Sequence, residues 1–230
     1  MTEAGTAGRI VIVSGADEHA DPWHALDATS AAIADVVSSV GEVQMATTSD
    51  VETWAGADLL ILNVSGDLAV PSRPSTTQVD AIETHHRAGR PILAMHSSSL
   101  AFRDDGRWPR ILGGRWVPGV TMHPQIGNAL IQVTPAEDAS PGSVPFAADF
   151  FVYDERYTSL EVGEDVHVVA RHTEDGTVHP LVWWAHGSPV GGSVVYDALG
   201  HGVESFECEA HSAWLTETAA ALLAGPGEST

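Results

Sequence analysis

Three short, predominantly apolar runs, at 9–13, 57–64 and 91–95, lie within the first hundred residues, with helix-like stretches between them. Runs without polar alternation mark strands buried on both faces, the condition of a parallel sheet. Between the first two runs, Leu26, Ile33, Val36, Val37 and Val40 fall at helical spacing over 23–40, with Asp21-Pro22 as a start and Gly41 as a stop. A second strand is predicted at 42–46 and a second helix over 75–87, ended by Gly89. Alternating strand and helix builds a doubly wound α/β sheet, whose ligands bind outside the carboxyl ends of its strands.

After Gly113 the texture changes to strand-like segments at 126–133, 150–153, 166–171, 181–185 and 193–199, followed by a helix over 206–223. The expected architecture is therefore flavodoxin-like: a parallel sheet with helices on both faces and extra strands in the second half. A chain of 230 residues with no internal repeat reads as one domain over 1–230, with an ordered core at about 9–225. Residues 135–145 read as a mobile loop and the last few residues as a tail. No apolar run approaches the roughly 18 residues of a membrane helix, and the first eight residues lack a signal-peptide pattern, so a cytoplasmic location is expected.

Composition removes several function classes. Acidic residues outnumber basic ones 31 to 10, a formal charge of -21, which repels nucleic acid and anionic membranes. All ten basic residues are arginine, so a Schiff-base lysine, a pyridoxal-phosphate anchor and a Walker A lysine are excluded. The single cysteine, Cys208, at the start of the last helix, allows no intrachain disulfide and no multi-cysteine metal site. Any metal must be held by His, Asp or Glu.

The most informative local pattern is Ile92, Leu93, Ala94, Met95, His96, Ser97, Ser98 and Ser99, an apolar strand ending at a polar residue with small residues two positions to either side. That is the pattern of a nucleophile elbow, which thrusts its central side chain into a cleft. Histidine forms no stable acyl intermediate as Cys or Ser does. His96 is thus a general base, a metal ligand, or a residue that only caps the strand. Ser97 as a displaced nucleophile is a weaker reading, because its side chain leaves the central position.

Further motifs follow in order: Trp108-Pro109, Gly113-Gly114-Arg115-Trp116, His123-Pro124, Tyr153-Asp154-Glu155-Arg156-Tyr157, Pro180-Leu181-Val182-Trp183, and Gly192 through His201. Together with the His96 turn, these resemble the ThuA-like (trehalose utilisation) family over nearly the whole chain. The resemblance implies the class I glutamine amidotransferase-like fold without its cysteine, hence no glutaminase activity. It also implies a role in carbohydrate catabolism, of a disaccharide or a keto-sugar. His201 occupies the place of that fold's catalytic histidine. In the acidic first loop, His19 and His24 match the family pattern only loosely.

From the resemblance and the motifs, His96, Glu155 and His201 are expected to carry acid/base chemistry of hydrolase, lyase or isomerase type. Tyr157, Ser97, His123 and Trp108 are expected to bind substrate. Glu155 and Tyr157, two apart on an extended segment, point the same way, whereas Asp154 and Arg156 point oppositely, toward a structural ion pair or solvent. His96, His123, Glu155 and His201 form a candidate divalent-metal set for zinc or manganese. Glu204 is a candidate partner for His201 or a plain surface carboxylate. Trp23, Trp108, Trp116, Trp183 and Trp184 include candidates for a sugar-stacking face, the others being core. His85 and His86 sit in a helix C-terminal turn that favours a cation, and no chemistry is assigned to them. The expected partner is a small carbohydrate, with self-association left open. The rival expectation is a non-catalytic carbohydrate-binding or regulatory module on the same scaffold.

Overall fold

The computed structural model describes residues 8–71, 75–139, 142–185 and 191–225. Part of the loop read at 135–145, the stretch 72–74 and the terminal tail lie outside these. The first half alternates as expected: β1 (Arg9–Ser14), α1 (Leu26–Val37), β2 (Glu42–Thr47), a short α2 (Val51–Trp54), β3 (Leu59–Asn63), α3 (Thr76–Arg87), β4 (Ile92–Met95) and α4 (Arg107–Leu112). The second half contains β5 (Gly114–Arg115), β6 (Gly127–Val133), β7 (Phe150–Asp154), β8 (Glu161–Val162), β9 (Val166–Glu174), β10 (Thr177–Ala185), β11 (Val194–Asp197) and α5 (Glu209–Ala224).

Among the described residues, nine strands form one sheet in the order β2-β1-β3-β4-β11-β10-β9-β6-β7, and β5 pairs with β8 apart from it. The β2-β1-β3-β4-β11 half is parallel. The remainder is antiparallel. The chain leaves β1 toward one sheet edge and β3 toward the other, so right-handed crossovers place α1 and α3 on opposite faces. Consistent with this, α1 packs on α5, whereas α3 packs on α2 and α4. Central strands β3, β4 and β11 are buried at every residue, which is why their sequences run apolar without alternation up to the polar Asn63 and Asp197 that end β3 and β11. β7, at the sheet edge, alternates buried and exposed residues.

The antiparallel half curls back over the carboxyl edge of the parallel half. β7 lies four strands away from β11, yet the Asp154 carboxylate at its end accepts the backbone N–H groups of Gly200 and His201, just beyond β11. Gly200 has φ 109°, and a Cβ there would stand 3.1 Å from the Phe206 ring, so this turn requires glycine. Asp154 is thus a buried organiser of the His201 turn rather than an exposed or salt-bridged residue. Arg156 does form the expected ion pair, with Glu174 at 2.9 Å. His85 and His86 differ from expectation: both are buried, burial lowers their pKa, and His85 Nε2 contacts the Pro91 carbonyl at 2.9 Å. They are neutral packing residues, not cations at a helix end.

Candidate functional site

Loops that follow separate strands converge at the carboxyl edge of the sheet. The first follows β1, where Asp21 accepts the backbone N–H groups of Trp23 and His24 with Oδ1, at 2.8 and 2.9 Å. Asp21 Oδ2 meets His24 Nδ1 at 2.6 Å and accepts the Ser65 hydroxyl from the loop after β3. Burial opposes the Asp21 charge, but the bonds from His24 and Ser65 hold its pKa below the usual carboxylate range. Burial lowers the His24 pKa. The histidine is therefore fixed in place by a carboxylate while its Nε2, buried, has no hydrogen-bond partner among the described residues.

The second loop is the elbow. β4 ends at Met95, His96 has φ 34°, and a 3-10 turn runs over His96–Ser99. A left-handed backbone at a non-glycine residue costs about 1–3 kcal/mol and persists only where surroundings enforce it. Here the Tyr196 hydroxyl donates to the His96 carbonyl at 2.7 Å, and His96 Nδ1 meets the Ala198 carbonyl at 2.6 Å. With Nδ1 engaged by an acceptor, Nε2 carries the lone pair. That nitrogen receives the Tyr157 hydroxyl at 2.8 Å. Tyr157 is buried, which pushes its pKa well above 10, so it stands as a phenol and the donor in this contact.

Glu155 follows β7 and lies between the histidines. Its Oε2 is 3.5 Å from His96 Nε2 and 3.4 Å from His201 Nδ1, and its Oε1 is 3.0 Å from His123 Nδ1. Burial alone would raise its pKa, but His201 holds the carboxylate well below the usual range. Conversely, Glu155 raises the His201 pKa against the effect of burial. The imidazole rings of His24, His96 and His201 form a triangle with centroid separations of 5.0, 4.9 and 5.4 Å, each pair edge-on.

Of the residues singled out from sequence, the structure brings together His96, Glu155, His201, Tyr157 and His123. It does not bring in Ser97 or Trp108. The Ser97 hydroxyl is buried and donates to the Val64 carbonyl at 3.0 Å, pointing back into the sheet. Trp108 is 1% exposed, its Nε1 donates to the Ser98 carbonyl, and its ring packs on Phe102, so it supports the elbow from the core. Glu204 is exposed on the surface. The residue that sequence reasoning left aside is His24. Its signal was the Asp21-Pro22 helix start, which sets a buried carboxylate three residues before a histidine.

A cleft of about 640 Å³ opens over these groups, within the size range of small-molecule sites, and Trp23 and Trp116 stand in its wall. Trp23 is 60% exposed. A neighbouring cavity of about 530 Å³ shares Asp21, Pro22, Gly66 and Leu100 with it as wall and is also lined by His19. His19 is buried, and its Nε2 has no hydrogen-bond partner among the described residues. Trp183 and Trp184 are core residues of β10. Among the described residues, no helix is long and apolar enough to cross a membrane.

Comparison with known proteins places this geometry in a family. A ThuA-like protein from Parabacteroides merdae superposes with a TM-score of 0.75 at 14% identity, covering 98% of this chain and 93% of that one. A second, from Bacteroides uniformis, gives 0.69 at 17% identity over 97% and 94% of the two chains. A protein of Salmonella typhimurium LT2 described as cytoplasmic gives 0.60 at 11% identity over 92% and 98%. At these identities the likeness speaks for the fold. No curated protein matches the chain. The family model described as ThuA, trehalose utilisation, matches residues 9–219, and the chain belongs to that family.

Proposed function

We infer that this chain is an enzyme acting on a small carbohydrate, a disaccharide or keto-sugar, by proton transfer through His96, Glu155 and His201, of which Glu155 and His201 line the cleft and His96 lies buried against them. One observation carries the reading. Glu155 and Tyr157 from the segment after β7, His96 from the elbow and His201 from the turn after β11 meet within contact distance under an open cleft, at the carboxyl edge where such sheets bind ligands.

The parts suit sugar chemistry. Glu155 is an acceptor-only group touching two imidazoles, fitted to hold His201 in place and with it to move a proton at a hydroxyl or at a carbon beside a carbonyl. Tyr157 is a phenol with its proton directed at His96, fitted to return one. Trp23 and Trp116 offer flat apolar faces for a pyranose ring at the cleft wall. The adjoining cavity gives room for a second ring. The family description, trehalose utilisation, supports the carbohydrate class. A cytoplasmic site of action fits such a role.

The test is a panel of disaccharides and their keto derivatives, followed by NMR for loss of substrate signals. Turnover of one member, reduced at least about 100-fold in Glu155→Gln and His201→Asn, is the expected result. Saturable binding with no turnover of any member would instead make the chain a carbohydrate-binding module. Turnover unchanged in both variants would remove the chemistry from this cluster.

A further inference from the structure

His24 Nδ1 is committed to the Asp21 carboxylate and His96 Nδ1 to the Ala198 carbonyl, each at 2.6 Å. Metal-binding histidines are held in this way: an acceptor on one ring nitrogen fixes the tautomer and aims the other. His24 Nε2 is buried without a hydrogen-bond partner among the described residues, and His201 Nδ1, also buried, has only the long 3.4 Å approach to Glu155 Oε2. An orphaned buried polar atom costs about 1–3 kcal/mol unless something occupies the space beside it.

The spacing fits an ion. One ligand atom from each of His24, His96, Glu155 and His201 lies within 4.8 Å of the others. Bonds of about 2.1 Å in a tetrahedron set ligand atoms about 3.4 Å apart and imidazole centroids about 5 Å apart. His96 Nε2 and His201 Nδ1 are already 3.5 and 3.4 Å from Glu155 Oε2. The three centroid separations run from 4.9 to 5.4 Å. His24, rather than the half-exposed His123, completes the set.

We propose that His24 Nε2, His96 Nε2, His201 Nδ1 and Glu155 Oε2 bind one divalent transition-metal ion of the zinc type. Three imidazoles and one carboxylate suit zinc, or cobalt in its place, and not magnesium or calcium, which take oxygen ligands. The inference rests on the cleft being a reaction site, and supplies it with a Lewis acid for a sugar oxygen or a bound water. Tyr157, now donating to His96 Nε2, would lose that acceptor once the ion held the lone pair, leaving its phenol free to donate elsewhere. Glu155 Oε1 remains beside His123, at 3.0 Å, so proton transfer passes to that pair and to Tyr157.

The experiment uses untagged full chain, stripped with chelator and titrated with zinc chloride and cobalt chloride alone, without sugar. Calorimetry is expected to give one tight site per chain, and cobalt the intense visible absorption of a four-coordinate centre. His24→Gln and His96→Gln lose that site, Asp21→Asn weakens it 10–100-fold, and Tyr157→Phe keeps it. Circular dichroism shows which variants fold, and the wild-type cobalt spectrum stands whatever they do. Absence of a stoichiometric site in wild type, or a site equally tight in folded His24→Gln, overturns the proposal. Sugar turnover undiminished in metal-free protein sinks the ion and leaves the enzyme standing. A tight site with no turnover of any sugar does the reverse.

Discussion

His24 Nδ1 lies 2.6 Å from Asp21 Oδ2, and that single contact decides which way the histidine faces. The same carboxylate holds two backbone N–H groups of its own loop and the Ser65 hydroxyl of the next. Asp21→Ala should therefore lower stability by about 1–3 kcal/mol, the cost of stranding buried polar partners, read as a drop in Tm. Asp21→Asn keeps the N–H acceptor on Oδ1 and should recover most of that stability without restoring turnover. Equal activity in Asp21→Asn and wild type would show that the orientation of His24 does not matter to the chemistry.

Tyr157 and His96 separate two kinds of contribution. Removing the hydroxyl in Tyr157→Phe takes away one hydrogen bond, worth about 1 kcal/mol of stability, and keeps the ring stacked on His96 at 4.4 Å. If the phenol delivers a proton to the substrate, kcat should fall about 100-fold or more with KM little changed. A rise in KM alone would make Tyr157 a binding residue.

The two tryptophans nearest the argument should behave oppositely. Trp23→Ala removes an exposed ring at the cleft wall and should weaken sugar binding while Tm stays within about a degree. Trp108→Ala removes a fully buried ring beneath the elbow and should cost about 3–5 kcal/mol. A variant pair with the reverse pattern would return Trp108 to the substrate side, where the sequence reading had put it.

That reversal shows where sequence stops being legible here. β1, β3 and β4 could be read because continuous apolar runs follow from burial on both faces, a local property. The pairing of Glu155 with Tyr157 was also local, a matter of two-residue periodicity. Which side of the elbow Trp108 occupies is not local. It depends on α4 packing back beneath the turn, and the aromatic identity is the same either way. Asp154 is expected to point outward because Glu155 and Tyr157 point into the cleft, but the alternation of β7 carries Asp154 inward and breaks only at Glu155. The role of Asp154 arises from the curl that brings β7 to the β11 turn, a contact across 46 residues. His24 was passed over for a similar reason, since only the fold reveals that Asp21 turns the ring toward His96 and His201. The short α2 and the β5–β8 pair carry too few residues to show a period.

A buried pair outside the cleft gives the pH dependence its sign. His211 Nε2 is 2.7 Å from Asp197 Oδ2, both side chains are inaccessible to solvent, and Nδ1 faces the Ser205 carbonyl at 3.0 Å. Burial works against the charge, but Asp197 and the Ser205 carbonyl raise the His211 pKa above its ordinary 6.5. A histidine whose folded pKa exceeds its unfolded value contributes stability that is full below about pH 6.5 and is lost as pH rises through the folded value. On the acid side His85, His86 and His172 act with the opposite sign, because burial lowers each of them and their contribution is lost as pH falls below 6.5. The double variant Asp197→Asn, His211→Gln removes the first effect while its amide still accepts the Leu199 N–H that Asp197 now holds. Urea unfolding from pH 6 to 9 should show the wild-type advantage over this variant shrinking steadily with pH. A constant difference across that range would mean that His211 is neutral in the fold and that its contact with Asp197 is an ordinary hydrogen bond.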